Sequence, residues 1–186
     1  KSDMKKLEII DDKYLYFGSY PQNGAAKEPI KWVIIKKEGN IITLMAEKIL
    51  TNFMYDRYYS DYNTSAVRKF IHEQFIPVAF TLEELEMILP TEIENVVDKV
   101  YIPSTDEIRH LSREERIRKV TPYAYSNKAS TYPIYSKKEK HLEGNGWYWT
   151  RTPYKPPYDP NRSNHVWYVT YRGELNSRPV WGYDIG

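Results

Sequence analysis

Trp147-Tyr148-Trp149-Thr150-Arg151-Thr152-Pro153 is the stretch on which the fold turns. An unbroken run of aromatic and β-branched residues favours a strand, and Pro153 marks its end. Side chains in a strand alternate between faces. Trp147, Trp149 and Arg151 therefore share one face, and Tyr148 and Thr150 share the other. The two indoles carry the large apolar area of a core, so their face points inward. Arg151 then becomes a buried or half-buried guanidinium that requires a carboxylate or carbonyl partner.

Working outward, residues 166–171 form a second aromatic strand candidate, and Arg172-Gly173 reads as a turn into a third over 175–180. Pro153, Pro156, Pro157 and Pro160 force an extended loop between the first two. Upstream, residues 120–146 are rich in Tyr, Pro, Ser, Lys and Asn. That span is too long for an ordinary connection and is either a functional excursion or partly mobile.

The N-terminal half reads differently. Tyr14 to Phe17 is a strand stopped at Gly18. Residues 30–35 and 41–46 are β-branched runs joined by a turn at Gly39-Asn40, with both faces apolar, which places them in the middle of the fold. Residues 51–63 read as an ordered loop. Asn63 or Thr64 caps a helix with Val67, Phe70, Ile71 and Phe75 on one face, closed by Pro77. Thr81 with Glu84 starts a second helix whose buried stripe is Leu82, Leu85, Ile88 and Leu89. Residues 99–102 are a short strand. Ser104 with Glu107 and Ser112 with Glu115 repeat the capping-box spacing, so 104–119 is one broken helix or two short ones. Strands lie at both ends and helices between them, which is α+β segregation. Residues 1–13 read as a charged extension and 14–186 as a single domain.

Composition narrows the chemistry. The 186 residues carry 27 Lys plus Arg against 25 Asp plus Glu, a formal charge of +2 that argues against a nucleic-acid binder. No apolar stretch approaches a membrane span. With no Cys there are no disulfides, zinc thiolates or thiol nucleophiles. The unusual feature is 18 Tyr and 5 Trp.

Several motifs occur in a fixed order: F-G-S-Y-P-Q at 17–22, I-K-W-V-I at 30–34, S-A-V-R-K-F-I at 65–71, F-T-L-E-E-L at 80–85, D-K-V-Y-I-P-S-T-D-E-I at 98–108 and T-P-Y-A at 121–124. They continue with W-Y-W-T-R-T-P at 147–153 and V-x-Y-V-T-Y-R-G at 166–173. This set resembles an uncharacterised bacterial domain-of-unknown-function family whose usual core motif is W-W-L-R-S-P. The resemblance covers about residues 15–186, with Thr150 and Thr152 where the family has Leu and Ser. It implies a C-type-lectin-like fold, akin also to sulfatase-modifying factors, with small antiparallel sheets flanked by two or three helices and long irregular loops. It also makes Trp32, Trp147, Trp149 and Arg151 a structural core motif, with the 147–153 strand at the centre of its sheet. The family pattern closes with a G-V-R-P-A-L strand. Here that role falls either to Ser177-Arg178-Pro179-Val180 or to no residue before Gly186.

No catalytic residue is assigned. The modifying-factor chemistry relies on cysteines, and the four His (His72, His110, His141, His165) are scattered, as surface residues are. Glu83-Glu84 and Glu114-Glu115 sit in helix first turns, where they complement the macrodipole. No metal or cofactor is expected. Glu28-Pro29-Ile30 lacks the Asn of a lectin calcium loop, and Asp159-Pro160-Asn161 supplies two oxygens where calcium takes six to eight. The ligand-binding candidates are Tyr154, Tyr158, Arg162, Asn164, Arg172 and Tyr183, loop positions with planar apolar faces and polar tips. The expected role is non-enzymatic recognition of a protein or glycan, through the loops around 120–146 and 153–165, at a bacterial cell surface. An enzyme of unknown reaction using the same region, or a structural module presenting other domains, are the alternatives. Neither nucleic-acid binding nor membrane insertion is expected.

Overall fold

The short apolar runs, each punctuated by Gly, Asn or Pro, build several small sheets rather than one large one. The computed structural model describes residues 7–155, 164–182 and 186. β1 (Tyr14–Pro21), β2 (Lys27–Glu38) and β3 (Ile41–Ala46) form an antiparallel sheet in that order. β1 does not stop at Gly18. The residue takes φ +63°, and the register with β2 shifts between Tyr16 and Ser19, so Gly18 marks a bulge that the strand passes through. A Cβ there would lie 2.6 Å from the Phe80 ring. Both apolar runs form strands, β2 interior to this sheet and β3 at its edge.

β4 (Lys48–Ile49) pairs in parallel with β7 (Lys119–Val120). β5 (Thr91–Ile93) and β6 (Val96–Asp98) form a hairpin turned by Glu94 and Asn95, both at positive φ. This hairpin replaces the strand expected at 99–102, which runs outside any sheet.

The helix expected to end at Pro77 continues through it. Ser65 is its N-cap, accepting from the Arg68 N–H, while Asn63 and Thr64 belong to a preceding 3₁₀ turn. α1 (Ala66–Phe70) leads through a π-helical segment, Ile71–Phe75, into α2 (Ile76–Ala79). Proline has no N–H, and its ring clashes with the carbonyl four residues back. The wider turn, in which Ile76 N–H reaches Ile71 O, carries the backbone past that conflict. α3 (Leu82–Met87) starts at Thr81, whose Oγ1 accepts from Glu84 N at 3.1 Å. Its supposed buried stripe is not buried: Leu82 is 81% exposed and Leu89 is also exposed, with Leu85 and Ile88 half-covered. Phe80 takes the inward place instead, against Phe17, Trp32 and Phe75. α4 (Thr105–Ile108) and α5 (Arg113–Arg116) each open with a complete capping box, and α6 (Pro122–Ser126) is capped by Thr121.

β8 (Tyr148–Pro153), β9 (His165–Val169) and β10 (Leu175–Pro179) form the second three-stranded antiparallel sheet, in the order β10-β9-β8. By strand order β8 is at the edge, not the centre. Its outer side is nevertheless satisfied: Trp149 N donates to Gly186 O at 2.9 Å, Gly186 N to Trp147 O at 3.0 Å, and Arg151 N to Pro103 O at 2.9 Å. Both faces of β8 are buried. Trp149 enters a core with Tyr55, Tyr62, Val67, Ile71, Val166 and Val180, and Tyr148 enters another with Ile49, Ile108, Ala124 and Val169. A third core gathers Tyr20, Ile30, Leu50, Phe75, Ala79 and Phe80. The architecture is mixed α+β, and among the described residues no helix is long and apolar enough to cross a membrane.

Candidate functional site

β8 is the scaffold from which the candidate site is read. Trp149 is 1% exposed, and its Nε1 donates to Phe53 O at 3.0 Å. Arg151, 4% exposed, clamps Glu107 with two bonds of 2.7 and 2.5 Å and donates a third to Ile102 O at 2.8 Å. Burial works against the guanidinium charge, but hydrogen bonding to Glu107 and its charge outweigh it, so the Arg151 pKa moves upward. Glu107 also accepts from Ser104 N, so one carboxylate ties the α4 cap to β8. Trp32 is half-buried, with Nε1 donating to Phe17 O. Trp147 is half-buried as well. Trp149 and Arg151 are thus enclosed in the frame, and Trp32 and Trp147 are half-covered by it.

The loop candidates divide. Tyr158, Arg162 and Tyr183 lie outside the described residues, as does Asp159-Pro160-Asn161. Tyr154 is half-buried, edge-on to Trp167 with ring centroids 4.9 Å apart, and Asn164 Oδ1 lies 3.0 Å from His165 Nδ1. Arg172 belongs to a different assembly. It meets the long excursion through Glu139, with Nη2 to Oε1 at 3.3 Å, and its guanidinium lies 5.4 Å from the Tyr171 ring centroid.

Around that contact the structure assembles an aromatic cluster. Tyr132 stacks on Tyr171 with centroids 4.0 Å apart and planes 14° apart. Trp147 meets Tyr171 edge-on at 5.1 Å, and Tyr135 meets Tyr132 edge-on at 6.0 Å. The Tyr132 hydroxyl donates to Glu139 Oε1 at 2.8 Å, which together with slight burial raises that phenol's pKa, opposed by Arg172. Asn145, fully enclosed, donates to Tyr171 O, and Tyr132 N donates to Asn145 O, so the cluster's floor is pinned by backbone bonds. Tyr135 stands out from it, 79% exposed. Among the described residues, the enclosed guanidinium Nε of Arg172 has no hydrogen-bond partner. Sequence reasoning marked 120–146 as an excursion but singled out neither Tyr132, Tyr135 nor Glu139. The signal available was Thr131-Tyr132-Pro133-Ile134-Tyr135, an aromatic pair around a proline in an otherwise polar stretch.

Asp98 and Glu28 are engaged by their neighbours. Asp98 is fully buried and takes two bonds from Arg68, at 2.9 and 2.7 Å, with His72 Nε2 3.3 Å away. Burial alone would raise its pKa, but the Arg68 hydrogen bonds and the neighbouring Arg68 and His72 charges bring it below the usual value. Such a carboxylate holds no proton near neutrality. Glu28 binds Asn23 through both N and Nδ2. Among the described residues, no three His, Asp or Glu side chains converge as metal ligands would.

No curated protein and no solved structure matches the chain. One family model, described as Domain of unknown function (DUF6273), matches residues 38–184, well over half of the sequence. On that match the chain belongs to the DUF6273 family of domains of unknown function.

Proposed function

We propose that this domain is a non-enzymatic recognition module with a C-type-lectin-like architecture, displayed at a bacterial cell surface and binding a protein or glycan partner through its aromatic-rich loops. The observation that carries the reading is the Tyr132–Tyr171–Trp147 cluster with Tyr135 projecting from it and the Arg172–Glu139 pair at its side. Phenol rings held rigidly by packing lose little conformational entropy on binding, and loops on a rigid scaffold commonly carry function. Support for the architecture comes from strand hairpins at both ends of the chain, short helices between them and a long excursion before β8. The enzyme alternative finds less support, because the one fully buried carboxylate among those described, Asp98, is paired with Arg68 and shifted downward, opposite to a general acid.

The test is a glycan array and a pull-down against cell-envelope fractions, each run with the parent protein, Tyr135→Ala and Arg172→Ala. A ligand retained by the parent and lost in both variants, at unchanged melting temperature, is the expected result. Ligands held equally by all three proteins, or none retained by any, would overturn the assignment.

A further inference from the structure

A polar cleft lies against the β1–β2 hairpin, built from residues outside the aromatic cluster and independent of the reading above. Its volume is about 590 Å³, within the range of about 300–1,000 Å³ that small-molecule sites occupy. Strand pairing sets Tyr16 of β1 opposite Lys31 of β2, and residues directly opposite in an antiparallel pair meet on one face. Just past β3, Glu47 N donates to Lys31 O at 3.0 Å, and Glu47 Oε2 lies 3.1 Å from Lys31 Nζ. The same ammonium rests 4.1 Å from the Tyr14 ring centroid. The hairpin tip supplies another wall. Gln22 Nε2 donates to the carbonyls of Glu28 and Pro29 at 3.2 and 2.9 Å, and Asn23 N and Nδ2 reach the Glu28 carboxylate at 2.9–3.0 Å. Lys48 and Leu50 complete the lining.

Three properties of this lining select a ligand. Its charges balance, Glu28 and Glu47 against Lys31 and Lys48, so its field concentrates neither anions nor cations. Its polar groups differ in kind: carboxylates only accept, ammoniums only donate, and the Gln22 and Asn23 amides do both. A carboxylate offers about four acceptor sites, so the Asn23 bonds orient Glu28 without exhausting it. A ligand that answers such a mixture must donate and accept at several neighbouring points, as adjacent hydroxyls do. Third, Tyr16 is 52% exposed, its ring braced edge-on by Tyr14 with centroids 6.0 Å apart. It offers a flat apolar surface beside the polar groups. A pyranose ring has the matching division, with an apolar C–H face and a rim of hydroxyls.

We propose that this cleft binds a neutral saccharide, one sugar ring lying on Tyr16 and its hydroxyls shared among Glu28, Asn23, Glu47 and Lys48. Bonds within the lining already hold Gln22, Glu28 and Lys31, which lowers the ordering cost of binding. A free amino acid would use one carboxylate and one ammonium and leave the Tyr16 face and the amides idle. A lipid tail would cover charged groups without answering them.

The probes are cellotetraose, maltotetraose, mannotetraose and chitotetraose, each titrated into the isotope-labelled protein and followed by backbone amide shifts. The expected result is saturable binding of at least one sugar, insensitive to salt, with shifts centred on residues 16, 22–31 and 47–48. Tyr16→Ala should weaken that binding about tenfold, whereas Tyr16→Phe, which keeps the ring, should stay within about twofold of the parent. Melting temperatures report whether the variants fold; if either does not, the shift map of the parent decides. Binding of none of these sugars, displacement of the sugar by glycine, or shifts confined to residues 132–139 and 171–172 would overturn the proposal. The last of these results would move the sugar to the aromatic cluster, so failure of the cleft and failure of the earlier reading are told apart.

Discussion

Replacing Arg151 by Met should destabilise the fold by about 3 kcal/mol, the lower end of the cost of breaking a buried charged pair. Met keeps most of the length and apolar bulk, so the loss isolates the guanidinium's bonds. These are the two to Glu107 and the one to Ile102 O. The lower end applies because the abandoned Glu107 retains the Ser104 N–H and is 31% exposed, so water can solvate it in part. The converse change, Glu107→Gln, leaves a guanidinium at 4% exposure with Glu94, 3.7 Å from Nε, as its remaining carboxylate. Each single change should therefore cost more than the pair is worth net, and the double variant should recover about 2 kcal/mol relative to the sum. Urea denaturation followed by tryptophan fluorescence gives the three free energies. For a chain of this size, 3 kcal/mol corresponds to about 6–12 °C in melting temperature. A cost below about 0.5 kcal/mol, the range of ordinary surface changes, or simple additivity of the two substitutions would refute the claim that this pair fastens α4 to β8.

Other outcomes follow from the same geometry. Asp98 has a folded pKa below its ordinary value of 3.8, so its stabilisation is present above that value and is lost as the pH falls through the folded pKa; the gap in urea midpoint between parent and Asp98→Asn should close on acidifying below about pH 4, and a gap independent of pH would contradict it. Thr81→Ala removes the acceptor for Glu84 N and should cost about 1 kcal/mol, with equal denaturant midpoints as the contrary result. Gly39 and Gly173 both take positive φ, but a Cβ at Gly39 meets open space whereas one at Gly173 would fall 1.9 Å from Arg113 O. Gly39→Ala should therefore lose about 1 kcal/mol and Gly173→Ala several times more, by thermal melts of the two variants; similar losses would show that the β9–β10 turn yields.

What was legible in the sequence was chiefly local. The capping boxes of Ser104 with Glu107 and Ser112 with Glu115 lie within four residues, and both form as spaced. The β2–β3 and β9–β10 turns are written in Gly39 and Gly173. The need of Arg151 for an acceptor could be stated, but Glu107 is 44 positions away and nothing in the spacing identifies it. Pro77 misled because it falls in the first turn of α2, directly after the π segment, where a missing N–H is tolerated, and a π turn needs no special residue type to announce it. The Leu82 and Leu89 stripe has the period of a buried face, yet Phe80 had already taken the inward position, a competition settled only by tertiary packing. The aromatic cluster escaped for the same reason: Tyr132 and Tyr171 are 39 positions apart and meet through the path of the excursion.

The π segment also has a consequence for how this chain tolerates changes in length. Val67 and Ile71, before and at its start, face the Trp149 core, whereas Phe75 and Ala79, at its end and beyond, face the Tyr20 core. The wide turn thus acts as a phase adjuster, handing one rod's apolar stripe from one core to the other. An α-helix advances about 100° per residue, so deleting a single residue between 71 and 75 would restore a regular helix while swinging Ala79 and Phe80 away from Phe75, Phe17 and Trp32. Loops elsewhere can lengthen at small entropic cost, but here the residue count itself is a structural parameter, and this rod should be among the segments least forgiving of insertions or deletions.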